Sequence, residues 1–265
     1  MTKTALFIVD VQGDFLPPDG SLMVPAGLLV KPAIISLLTD PKYKWDYVVA
    51  SQDYHPPGHI SFASSHPGHR VYSDIELKDG RGILYEQKLW PDHCVQGTKG
   101  CEIAPDLAAK IAERGDTAKL VRKGWHKDVE AYSAFDGYLT DFSNPADPPS
   151  EIDPQPARKI VQWLRDQGVT KVVVAGLAAE LCVAHTALSA VASRFQTAIL
   201  QPATRAIEER DAEEQWDKLC AVGARIIGRA NRPRTLRWED ELDQWLAAEK
   251  AGAWPEWKNK NNGTA

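Results

Sequence analysis

Cys182, Lys123, Asp10 and the pair Asp53/His55 share one context: each lies at or just past the end of a short apolar run. Around Cys182 the chain reads VVVAGLAAELCVAHTALSA from Val172 to Ala190. Three successive valines suit a buried parallel strand, and Gly176 lets the chain turn. Val183, Ala184, Ala187 and Leu188 then fall at helical spacing. Cys182 is therefore expected where a strand gives way to the first turn of a helix. The unpaired N–H groups there can lower a thiol's pKa and hold a developing oxyanion. A cysteine that merely packs is the common alternative.

The other positions complete a chemistry. Asp10 ends the run Leu6–Val9 and could serve as a base or as an ordinary turn cap. Asp53 and His55, alternating in the extended segment SQDYHPPGHISF, share a face and offer an oxygen and a nitrogen to a metal. His93, in the rigid turn KLWPDHCVQGT, could complete that set, while the adjacent Cys94 is expected to pack. Lys123 closes the run Ala118–Val121, where a cation could stabilise a thiolate, although lysines usually face solvent. His59, His66 and His69 are expected to be mostly solvated loop residues. The aromatic residues Trp125, Tyr132, Phe135 and Tyr138 suit either a flat substrate or a hydrophobic cover.

The elements that must position these groups alternate. Strands are expected at Leu6–Val9, Tyr47–Ala50, Ala118–Val121, Val172–Val174, Thr197–Leu200 and Ala224–Ile227. Between them fall helices at Leu28–Leu38, Ile103–Glu113, Ala157–Gln167, Leu181–Ala190 and Glu208–Ala221. This alternation predicts an α/β fold, a doubly wound and mostly parallel sheet flanked by helices, spanning residues 1–228. Its strand ends share one edge, where open α/β sheets bind ligands. Ser64–Ile83 reads as a surface excursion, and Ser143–Pro156, with five prolines, as an irregular loop. Residues 229–265 form a C-terminal extension. Leu236, Leu242, Trp245 and Leu246 suggest one helix there, and Trp254 and Trp257 suggest docking on the domain or a neighbouring subunit.

Bulk composition narrows the function classes. The 265 residues, 43% hydrophobic and 25% charged, suffice for one large domain. A net charge of −5 gives no footprint for nucleic acid or an acidic membrane. No apolar run reaches the roughly 20 residues that span a bilayer. Four cysteines without an evident export signal suggest free thiols in a reducing, cytoplasmic setting.

The segments IVDVQGDF, SQDYHPPGHISF, WPDHCVQGT, RKGWHKDVEAYSAF and VAGLAAELCVAHTALSA, in this order, resemble the motifs of nicotinamidases among the isochorismatase-like cysteine hydrolases. The resemblance covers roughly Thr4–Gly228. It implies hydrolysis of a pyridine carboxamide, nicotinamide to nicotinate and ammonia, with pyrazinamide also accepted. By motif it makes Asp10 the general base, Lys123 the cation and Cys182 the nucleophile. Asp53, His55 and His93, with waters, would hold a divalent ion, usually zinc, that binds the ring nitrogen. Phe15, Trp90 and Tyr132 would line the ring pocket. The N–H groups of Ala178 and Cys182 would hold the oxyanion, with a cis peptide at Leu177–Ala178. Self-association into a homo-oligomer is also expected. Pro202 stands where the family often has Asp.

Three rivals remain open from the residues. A relative acting on carbamoyl, ureido or maleamate-type amides would lack the metal set. A metallohydrolase would attack with metal-bound water and leave Cys182 structural. A silent binding protein would use the C-terminal tryptophans to engage a partner.

Overall fold

The computed structural model describes residues 2–229 and 236–248. The chain begins with β1 (Lys3–Val9), α1 (Val30–Thr39) and β2 (Tyr47–Asp53). A hairpin of β3 (Asp74–Lys78) and β4 (Leu84–Lys88) precedes α2 (Pro105–Ala112), β5 (Ala118–Lys123) and β6 (Tyr138–Asp141). Then come α3 (Pro156–Asp166), β7 (Val169–Gly176), a wide helical turn over Ala179–Val183, α4 (Ala184–Ala192) and β8 (Gln196–Thr204). The last described elements are α5 (Glu209–Ala221), β9 (Arg225–Ile227) and α6 (Trp238–Ala247).

Seven strands form one sheet in the order β6-β5-β2-β1-β7-β8-β9. All neighbours are parallel except the β5–β6 pair at the edge. The central strands bury both faces, which is why they read as continuous apolar runs rather than alternating ones. On one face Leu6, Ile8, Val48, Val173 and Ala175 pack with residues of α1, α2 and α6. On the other, Phe7, Val49, Val172 and Val174 meet α3, α4 and α5. The chain winds outward from β1 in both directions, so the β1–β7 boundary is the point where strand order reverses. A ligand crevice is expected at the carboxyl ends there.

Two strands run further than their apolar stretches suggest. β2 reaches Asp53 and β5 reaches Lys123 because each pairs the other in register, Asp53 opposite Lys123. The stretch Ser64–Ile83 is only partly a surface excursion. Its second half enters the β3–β4 hairpin, whose alternating exposure is that of a ribbon with one covered face. Among the aromatic residues after β5, Phe135 stacks on Phe7 in the core with centroids 5.4 Å apart. Tyr138 lies on β6 against Trp125. Both are cover, and only Tyr132 of that group reaches the pocket.

Helix α6 inserts Leu242 into the core and closes against Lys171 at the start of β7. The buried Lys171 ammonium donates to the carbonyls of Trp245, Leu246 and Ala248 at 2.9, 2.7 and 2.6 Å. These are orphan carbonyls of a helix end, which a cation satisfies well. Trp254 and Trp257 lie outside the described residues. No helix among the described residues is long and apolar enough to cross a membrane. Lys171→Met keeps the stem but strips the donor. It is expected to cost about 1–3 kcal/mol, read as a lower urea midpoint at unchanged slope.

Candidate active site

The carboxyl edge brings Asp10, Asp53, Lys123 and Cys182 together. Asp10 follows the last residue of β1 and takes a positive φ of 48°, which turns the chain away from the sheet. Lys123 is fully buried. Its ammonium lies 3.0 Å from Asp10 Oδ2 and donates to Asp53 Oδ1, to Cys182 Sγ at 3.3 Å and to the Ala131 carbonyl at 3.2 Å. Ser51 Oγ donates to the other Asp10 oxygen at 2.6 Å. Oxygens of Asp10 and Asp53 and the Cys182 sulfur all lie within 4.8 Å of one another.

Burial dominates the electrostatics of these groups. It raises the Asp10 carboxyl to about 6, against the opposing pull of Lys123 and Ser51. It likewise raises Asp53, again opposed by Lys123. The Cys182 thiol is pushed well above its ordinary value by burial, with Lys123 pulling down. The low thiol pKa that a helix start suggests is therefore not found. Desolvation of the anion outweighs the helix terminus and a single ammonium. Asp10 and Asp53 together hold Lys123 charged despite its own desolvation.

A second cluster adjoins the first. The Nε2 atoms of His55 and His93 each lie 3.9 Å from Asp53 Oδ2, and the three residues offer ligand atoms within 4.8 Å of one another. His55 Nδ1 faces the Gly124 carbonyl at 3.0 Å, and His93 Nδ1 faces that of Pro91 at 2.8 Å. Carbonyl oxygens only accept, so both rings carry a proton on Nδ1 and turn Nε2 toward Asp53. Burial keeps His55 neutral, the form that binds metal. Two imidazoles and one carboxylate around a common point fit a single divalent ion with open positions. Cys94 is buried with its sulfur 3.9 Å from the Gly100 carbonyl, outside this set.

Beside both clusters opens a narrow pocket. Phe15, Trp90 and Tyr132 line it with Asp53, His93, Ala178 and Cys182. Trp90 Nε1 donates to the Tyr132 hydroxyl at 3.0 Å, and Gln87 from β4 reaches the same oxygen at 3.2 Å. Ala134 N–H donates to Thr186 Oγ1 of α4 at 2.9 Å, which ties the Tyr132 loop to the helix that follows the Cys182 turn. The Leu177–Ala178 peptide is cis. A separate cavity between β8, α5 and Trp238 includes Arg205 and Glu209 but none of these clustered groups.

Several positioning residues were not evident from local pattern. His59, expected in solvent, is fully buried. Its ring lies 4.1 Å from that of His55, tilted by 31°, and is fixed by Ser61 Oγ at 2.8 Å and the Val129 carbonyl at 3.1 Å. Gln12 clasps the Asp53 backbone, with its Oε1 accepting from the N–H and its Nε2 donating to the carbonyl, both at 2.8 Å. Glu130, Leu181 and Ile207 add to the pocket wall. The Gln12 signal was present in IVDVQGDF, since a buried amide just past a strand must satisfy both its ends.

Gly124 shows how tightly the His55 ring is seated. It has a φ of +61°, and an added Cβ would come within 2.3 Å of His55 Cε1. Gly124→Ala is therefore expected to displace the ring and lower divalent-metal affinity by about 10–100-fold, measured by metal analysis after dialysis against a graded chelator.

A model of the isochorismatase domain matches residues 156–231. A nicotinamidase of Acinetobacter baylyi is 33% identical over 228 residues, covering 86% of this chain and 93% of that protein. The structure of the yeast nicotinamidase superposes with a TM-score of 0.72 at 30% identity, covering 85% of this chain and all of that one (100%). A Pyrococcus horikoshii pyrazinamidase solved in complex with zinc gives a TM-score of 0.62 at 30% identity, covering 85% and 98% of the two chains. With this identity over most of both chains, the chain belongs to the nicotinamidase family of isochorismatase-like cysteine hydrolases.

Proposed function

We propose that this protein hydrolyses nicotinamide to nicotinate and ammonia through a thioester on Cys182. The observation that carries this reading is the Lys123 ammonium touching Asp10, Asp53 and Cys182 beside a pocket walled by aromatic rings. A carboxylate, an ammonium and a thiol in mutual contact form an activated nucleophile set. The Asp–His–His cluster at the same pocket supports a pyridine or pyrazine carboxamide over an amide without a ring nitrogen. Pyrazinamide is accordingly a second expected substrate.

In the first half-reaction Asp10 takes the thiol proton as Cys182 sulfur bonds to the carboxamide carbon. Burial favours the protonated thiol, and the Asp10 carboxylate lies close enough to take its proton. The C=O electron pair moves onto oxygen, where the N–H groups of Ala178 and Cys182 hold it, each such donor contributing about 2.7–4 kcal/mol. Asp10 then returns its proton to the leaving nitrogen, and ammonia departs. In the second half Asp10 accepts a proton from water, which adds to the thioester carbon. Nicotinate is released and the thiol regains its proton. Lys123 orients both carboxylates and offsets negative charge as it moves between oxygen, sulfur and Asp10.

Asp53, His55 and His93 would hold the divalent ion, with zinc the favoured identity for an open N,N,O site. Bound there, it would anchor and polarise the ring nitrogen of the substrate. Phe15, Trp90 and Tyr132 hold the ring plane, and the bonded Tyr132 hydroxyl keeps that wall from rotating away.

Two outcomes test the reading. Purified protein should release ammonia from nicotinamide, and Cys182→Ala should lower kcat by at least about a thousandfold while keeping its metal. Retained activity in that variant would instead favour attack by water. The pH profile gives the second. Asp10 acts only when ionised, so kcat/KM should fall as pH drops through about 6. Ser51→Ala removes a hydrogen bond that favours the ionised form. Its acid limb should therefore move upward by about half a pH unit to one. The linked stability effect has the opposite sense. A carboxyl raised in the folded state favours folding more as pH falls through 6 toward its ordinary value.

A further inference from the structure

The turn that carries Cys182 is anchored from behind by a carboxylate, and its role deepens the amidase reading, on which it rests. Glu180 stands two residues before Cys182 in the Ala179–Val183 turn and is buried. Its Oε1 accepts the N–H of Ile207 at 2.8 Å and of Glu208 at 2.9 Å, while Oε2 has no hydrogen-bond partner. Next to it, Ala179 N–H donates to the Arg205 carbonyl at 2.8 Å. Two consecutive residues of the turn thus grip the segment from Arg205 to Glu208.

That segment matters for two reasons. Ile207 forms the pocket wall beside Ala178, Leu181 and Cys182, so its place sets where a ring can lie relative to the sulfur. Glu208 leads into α5, whose first N–H groups need acceptors. Burial raises the Glu180 carboxyl above its ordinary value, opposed by the backbone N–H groups it accepts. The useful feature is an acceptor at one fixed reach. We infer that Glu180 is a positioning residue that holds the nucleophile turn and the Ile207 wall at one separation, so that sulfur, backbone N–H groups and substrate ring arrive in register.

The test uses the full-length, metal-loaded protein with E180Q, E180D and E180A. Two ligands separate the readouts. Pyridine-3-carboxaldehyde adds the Cys182 sulfur to its carbonyl carbon, sends the C=O pair to oxygen and passes the thiol proton to Asp10. It therefore senses the turn, whereas nicotinate fills the pocket without bonding to sulfur. E180A is expected to lower kcat/KM for nicotinamide by about tenfold or more and to weaken the aldehyde by a similar factor. Nicotinate affinity and metal content should change little. E180Q keeps an oxygen acceptor at the same reach and should recover most of the loss. E180D keeps the charge but falls a methylene short, and should resemble E180A.

The inference is overturned if E180D outperforms E180Q, which would make charge the operative property. It is also overturned if E180A matches wild type, or if aldehyde and nicotinate weaken alike. Should E180A fail to fold, the E180Q–E180D order still decides. A wild type that releases no ammonia from nicotinamide would defeat the proposed activity, while the aldehyde series would continue to judge Glu180.

Discussion

The structure turns on one ammonium removed from water. Burying the Lys123 charge without partners would cost several kcal/mol, and the fold meets that cost with groups from separate strands. Asp53 stands opposite Lys123 in the β2–β5 register, and Asp10 reaches it from β1 across β2. The Ala131 carbonyl and Cys182 sulfur complete the shell. Strand order and register are therefore constraints on the site as much as on the core. A one-residue slip of β5 would send Lys123 to the other face of the sheet and leave two buried carboxylates unopposed.

That arrangement leaves charge unbalanced. Two carboxylates share one ammonium, and desolvation raises both, Asp10 to about 6. A divalent ion at Asp53, His55 and His93 would offset the excess. It would also draw Asp53 charge away from Lys123, leaving the ammonium freer to support Asp10 and sulfur. The two clusters are joined through the Asp53 carboxylate, one of whose oxygens meets Lys123 and the other the two imidazoles. The upward shift of the Cys182 thiol follows from the same balance. In a site already rich in buried negative charge, a further anion on sulfur is disfavoured.

Much of this was legible because the strands are short, apolar and uninterrupted. Val172–Val174 and Leu6–Val9 announce themselves, and polar residues at their ends are conspicuous against such runs. What stayed hidden depends on pairing across the sheet or on distant loops. Nothing local in YVVASQD shows that β2 extends to Asp53, since that extension is made by β5. His59 sits among prolines and glycine and reads as loop. Its burial arises because His55, Phe62 and the Val129 carbonyl converge from outside. Gly124 gives no sign by itself that its missing Cβ leaves space for an imidazole. The aromatic group after β5 was ambiguous for a related reason. Periodicity does not say which of four rings faces the crevice, and packing against Phe7 and Trp125 assigns two of them to cover.

The division of labour between sheet and loops explains how one edge can be both rigid and selective. Asp10, Asp53 and Lys123 sit at the ends of strands whose backbones are bonded on both sides, so their separations are set by the sheet spacing of about 4.8 Å. The pocket walls come instead from separate segments outside the sheet: Phe15 after β1, Trp90 after β4, Tyr132 after β5 and Ile207 after β8. Each is pinned by its own bond or contact, Tyr132 by Trp90 and Gln87, Ile207 by Glu180, Phe15 against the His93 ring. Such walls can change in shape without disturbing the ion pairs at the strand ends. The strand-end groups are therefore placed by the sheet, whereas the shape of the pocket is set by loops whose positions depend on a few anchors.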